Sequence, residues 1–91
     1  MYASDLIGQA AVLFGVTPAE LVGRSRAQHI AQARQAVAYA LRQVTVLSLV
    51  EIGRALGGRD HTTILYAVQA AEARAVVDAD YALRLSALLP R

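Results

Sequence analysis

The 91 residues contain no cysteine, which removes disulfide frameworks, thiolate nucleophiles and Cys-based zinc sites and leaves the redox compartment open. Lysine is absent too, since all nine cations are arginine. A Walker A loop requires the lysine of its Gly-Lys-Ser/Thr run, so the chain holds no standard P-loop nucleotide site. Although 56% of the residues are hydrophobic, much of that is scattered alanine, and no apolar run approaches the ~20 residues that cross a bilayer. Met1-Tyr2-Ala3-Ser4-Asp5 lacks the basic start and apolar stretch of a secretory signal. A soluble, cytoplasmic chain with no membrane partner is the expectation. Histidine is scarce, with His29 and His61 alone. No Ser-His-Asp or paired-carboxylate arrangement stands out, and adjacent Asp60 and His61 at a helix start are poor geometry for a shared metal, so neither an enzyme nor a metal site is expected.

What is present fits one modest core, and residues 1–91 are expected to form a single domain. The net charge of +2 is too small by itself to argue for a nucleic-acid partner. Its distribution says more. Arg24, Arg26, Arg34, Arg42 and Arg54 precede the Gly57-Gly58 break, and Arg59 follows it directly. The planar arginine fork suits phosphate and guanine; an all-arginine set equally reflects a GC-rich genome, which does not explain the clustering.

Apolar residues recur at helical spacing, and no segment sustains the alternation of a half-buried strand. The expected fold is all-α, a compact bundle of about six helices. A first helix is expected from about Ser4 to Phe14, with Leu6, Ile7, Ala10, Ala11 and Phe14 on one stripe and Gly15 at its stop. Thr17-Pro18-Ala19-Glu20 is a capping-box signature for a short second helix ending near Gly23. The third, about Gln28 to Val44, turns Ile30, Ala33, Val37, Ala40, Leu41 and Val44 inward and has His29, partly exposed, at its start. Ser48-Leu49-Val50-Glu51 opens a fourth that runs to Leu56. Asp60 is placed to cap a fifth, about His61 to Ala75, with Ile64, Leu65, Val68 and Ala71 inward. A sixth, about Ala79 to Leu89, carries Tyr81, Leu85 and Leu88. Tyr2, Tyr39, Tyr66 and Tyr81 lie on or beside these stripes and read as core or rim residues, with Tyr66 the one to test as a stacking platform.

The fourth and fifth helices, joined by a tight Gly-containing turn, have the spacing of a helix-turn-helix. In that motif the start of the second helix enters the major groove. Here that start is Asp60-His61-Thr62-Thr63, where His61 can donate to or accept from a base edge, Thr62 can offer a hydroxyl or a methyl, and first-turn amides favour phosphate. The same residues would also serve as ordinary caps beside a solvated histidine, and pattern alone does not separate the two.

The run SLVEIGRALGGRDHTTILY, Ser48 to Tyr66, resembles the signature of the carboxy-terminal DNA-binding domain of the DnaA family of bacterial chromosomal replication initiators. RQAVAYALR, Arg34 to Arg42, is similar to that family's long third helix at the matching distance. The resemblance implies base contacts in the major groove from Asp60, His61 and Thr62, and phosphate contacts from Arg59, Thr63, Arg34, Gln35 and Arg42. Counting back from Arg34 without a gap puts the family's minor-groove arginine on Arg26, preceded by Arg24 on the backbone. Gln28 stands where the family often has a second arginine, so the basic loop is weaker or its register differs. An inserted arginine favours a narrow, A·T-rich minor groove.

Double-stranded DNA with DnaA-box-like sites at a replication origin is therefore the expected partner. The family also docks regulatory proteins on this domain. No cofactor is expected in this chain; ATP and magnesium belong to an upstream ATPase domain where one exists. The alternative is a stand-alone DnaA-like regulator or interaction module, and the sequence fits either a piece of a full initiator or a complete small protein.

Overall fold

Two capping boxes set the short helices, and their partners are the residues that the sequence spacing marks. Thr17 Oγ1 accepts from the Glu20 amide at 3.1 Å, and Glu20 Oε1 accepts from the Thr17 amide at 2.9 Å. Ser48 and Glu51 repeat the exchange at 3.1 and 2.8 Å. Both boxes satisfy amides that a helix start leaves without intrahelical acceptors.

The computed structural model describes residues 2–90, with the side chain of Tyr2 outside the described set. The six helices are α1 Tyr2–Phe14, α2 Pro18–Val22, α3 Gln28–Val44, α4 Leu49–Ala55, α5 His61–Val77 and α6 Ala79–Ala87, and no strand occurs among the described residues. The expectation for Tyr2 as a core or rim residue, and anything resting on Met1 or Arg91, lies outside them. α3 is the hub, packing against α1, α2, α4 and α5. That position buries it on more than one side: Ala36 and Ala38 are fully buried beside Ile30, Ala33, Val37, Ala40 and Leu41, whereas Val44 is only partly covered. Alanines there let neighbouring helices approach, while Leu6, Leu21, Leu41, Ile52, Leu56 and Ile64 fill the space between them. Burying each such side chain contributes about 1.5–3 kcal/mol.

Three expectations need correction. Leu65 does not face inward; it is 44% exposed, and Ala67 takes the inner place with Ile64, Val68 and Ala71. The buried positions follow the i, i+3, i+4, i+7 rule, which puts Leu65 a sixth of a turn or more off the stripe. α5 runs past Ala75 to Val77, where Asp78 closes it and also caps α6 by accepting from the Tyr81 amide at 3.0 Å. α6 stops at Ala87, with Leu88 as its buried C-cap.

α6 docks through Tyr81, Leu85 and Leu88. The Tyr81 hydroxyl donates to the Gln32 carbonyl at 2.9 Å, and its ring lies 5.8 Å from that of Phe14 at a 57° tilt. Burial pushes the Tyr81 phenol up to about 12, with nearby Arg74 pulling it down and Asp78 raising it. His29 is exposed at the start of α3.

Candidate nucleic-acid interface

The turn between α4 and α5 is built from backbone conformations that side chains rarely adopt. Gly57 has φ 85° and Gly58 φ 81°. α4 ends with Gly58 N and Arg59 N both donating to the Gly53 carbonyl at 2.9 Å, which reverses the chain within a few residues. A β-carbon on Gly53 would sit 2.1 Å from the Arg59 carbonyl oxygen, so the backbone of the turn rests directly on α4 at this point.

The reversal delivers Asp60 to the start of α5. One of its carboxylate oxygens accepts from the Thr62 amide at 2.9 Å and from the Thr62 hydroxyl. These two bonds, the hydroxyl's first, hold the Asp60 carboxyl below its ordinary range. His61 Nδ1 lies 3.6 Å from the other oxygen. The Thr62 amide is thus already satisfied and is not one of the free first-turn amides expected from the sequence. Asp60, His61 and Thr62 are all exposed at the start of α5.

Beside this start lies a groove between α5, α3 and the loop that follows α2. It is lined by Arg24, Ser25, Arg26, Ala31, Arg34, Arg59, Thr63 and Tyr66. Sharing Arg34, Arg59, Thr63 and Tyr66, it continues into a narrower cleft walled by Gln35, Leu56, Ile64 and Ala67. Neither lining contains a carboxylate. Arg34 is held below its ordinary value by burial and by the charge of Arg59; Arg59 is lowered by burial and by Arg24. Guanidinium stays protonated regardless, so the shifts record cations that are partly desolvated first and close to another cation second. Such an arrangement attracts a polyanion.

Six of the sequence-selected residues, Arg24, Arg26, Arg34, Gln35, Arg59 and Thr63, therefore share one continuous depression. Asp60, His61 and Thr62 line neither part of it and lie between Arg59 and Thr63 in the chain. Arg42 is exposed on α3 outside it, seven positions after Gln35 and so about two turns along nearly the same stripe. Arg34 and Arg59 also turn inward. Arg34 donates from Nε to the Leu21 carbonyl at 2.7 Å and from an η nitrogen to that of Glu20 at 2.9 Å. Arg59 donates to the carbonyls of Leu56 and Gly23. Tyr66 is 69% exposed on the groove wall and not a core residue; its place three residues after Thr63, on the same helical face, is the sequence signal for it.

Helix-turn-helix, exposed polar helix start and arginine groove define a DNA-binding helix-turn-helix domain. Residues 4–70 match the family described as the bacterial dnaA protein helix-turn-helix. The chain belongs to that family. It is similar to the chromosomal replication initiator protein DnaA of Thermus thermophilus, 46% identical over 65 residues that cover 71% of this chain and 15% of the relative. The DnaA of Leifsonia xyli is 48% identical over 64 residues, 70% of this chain and 14% of that protein. That of Corynebacterium jeikeium is 54% identical over 54 residues, 59% and 9% respectively. The chain thus spans 15% or less of the length of these relatives. No helix among the described residues is long and apolar enough to cross a membrane, and no group of three or more His, Cys, Asp or Glu among them is placed to hold a metal ion.

Proposed function

We propose that the chain binds double-stranded DNA at DnaA-box-like sites and serves initiation of chromosomal replication, in the cytoplasm. The start of α5 enters the major groove, where Asp60, His61 and Thr62 meet base edges. Arg26 enters the adjacent minor groove from its loop. Arg24, Arg34, Gln35, Arg42, Arg59 and Thr63 hold phosphates, and set position while the base contacts set sequence. One observation supports this reading above the rest: four arginines line a groove without a carboxylate, directly beside the exposed helix start. The guanidiniums of Arg34 and Arg59 keep donors beyond those given to carbonyls, since each has five.

The chain needs no cofactor for this role; ATP and magnesium belong to an ATPase domain of a longer initiator. Regulatory proteins would dock away from the DNA. Exposed Val76 and Val77 end α5, sixteen residues and about 24 Å from His61, and Leu83 is exposed on α6.

Fluorescence anisotropy on a DnaA-box duplex and a scrambled duplex, across a salt series, tests the proposal. A preference for the box is expected, with roughly four to six phosphate contacts giving a log affinity against log salt slope of about −4 to −5. Equal binding to both duplexes would instead favour a stand-alone interaction module.

A further inference from the structure

Arg59 and Arg34 bind the protein itself at one place, the end of α2 from which the basic loop departs. Arg59 reaches the Gly23 carbonyl across 36 positions of sequence while holding the Leu56 carbonyl at the end of α4. Arg34 reaches Leu21, Glu20 and, at 3.5 Å, the same Gly23 carbonyl. A third contact comes from the turn itself. A β-carbon on Gly57 would lie 2.1 Å from the Val22 carbonyl oxygen, so the backbone of the turn rests against the backbone that leads into the loop. At its other end the loop passes into α3, where Ser25 Oγ accepts from the Ala27 amide at 3.2 Å. Only Arg24, Ser25, Arg26 and Ala27 separate the anchored Gly23 from Gln28, the first residue of α3. With at most ~3.6 Å of reach per residue, the Arg26 backbone lies within about 11 Å of Gly23 and about 7 Å of Gln28.

We infer that Arg59, supported by Arg34, is a positioning residue that fixes the Arg24–Arg26 loop against the start of α5. The module then reads a duplex as a single caliper, with the minor-groove arginine and the major-groove residues at one offset. The Arg59 guanidinium bridges carbonyls of two segments, Leu56 at the end of α4 and Gly23 at the end of α2, while Arg34 gathers several carbonyls of the α2 end alone; a planar fork does this and the single ammonium of lysine does not. The inference rests on the DNA-binding reading above.

The test uses two DnaA-box duplexes, one intact and one with a base pair inserted between the A·T-rich step and the major-groove half. The insertion moves the two halves apart by about 3.4 Å and a tenth of a turn. Wild type is expected to lose roughly tenfold or more in affinity, within the range of a mismatched pair. Arg59→Lys, which keeps the charge and frees the loop, is expected to lose less than about threefold between the same duplexes. Arg34→Lys should fall between the two and decides the matter where Arg59→Lys gives no cooperative thermal melt. A wild type that tolerates the insertion overturns the inference without any variant, as does a folded lysine variant with the full wild-type penalty. A wild type that does not distinguish the intact box from scrambled DNA defeats the DNA-binding reading instead.

Discussion

Two sets of arginines in this chain are treated in opposite ways. Arg74, near the end of α5, lies 5.9 Å from the centre of the Tyr81 ring, and Arg84 on α6 lies 5.8 Å from that of Phe14 while pairing with Asp80 at 3.0 Å. Each of these cations has an aromatic face, and one has a carboxylate, so their charge is absorbed within the fold. Arg24, Arg26, Arg34 and Arg59 face one another across a groove with no carboxylate in its lining. Repulsion of Arg59 with Arg24 and with Arg34 opposes folding, and an anion in the groove would relieve it. One residue type thus builds a supporting region around α6 and a receiving region around α5 and the loop.

The division is broken most severely by Tyr81→Ala. Removing a buried ring and its hydrogen bond is expected to lower the unfolding free energy by about 3–5 kcal/mol in urea titration. The folded fraction should still prefer a DnaA-box duplex to a scrambled one, and loss of that preference would erase the distinction between the regions. A related effect comes from alkali. The folded pKa of Tyr81 is raised to about 12 from an ordinary 10.0. Its contribution is therefore fully present below pH 10 and lost as pH rises toward 12, with a slope approaching 1.4 kcal/mol per unit. Tyr81→Phe should flatten that part of the stability profile.

On the receiving side, His61→Ala or Thr62→Ala is expected to cost about 1–3 kcal/mol of discrimination between the two duplexes. Arg24→Ala should weaken both duplexes alike and reduce the salt slope by about one. Equal losses on both duplexes for the His61 and Thr62 variants would remove base reading from α5. The smallest effect belongs to Arg84→Ala. An exposed ion pair and one ring contact are worth less than about 1 kcal/mol of stability, and DNA affinity at low salt should stay at the wild-type value.

Local chemistry was the legible part. Both capping boxes, the Gly57-Gly58 turn and the Asp60 cap depend on residues within a few positions of one another, and the helices they delimit fall within about two residues of expectation. Leu65 misled because α5 carries apolar residues around much of its circumference, and the inner place went to Ala67, whose small side chain suits the close contact of α5 with α3. The inward bonds of Arg34 and Arg59 span 13 and 36 positions, and no periodicity reports an arginine that reaches a distant carbonyl. For the same reason the groove was visible in the sequence as a cluster of charges but not as a shape.

The absence of lysine acquires a meaning once the groove is seen. Acetylation, which silences an ammonium, has no side chain to act on anywhere in these 91 residues. Guanidinium keeps its charge across the whole range of cellular pH. On the DNA-binding reading, neither lysine chemistry nor pH can quiet the groove, so what lowers its pull has to occupy it or bring negative charge to it, as phosphate on Ser25 or Thr63 of its lining would.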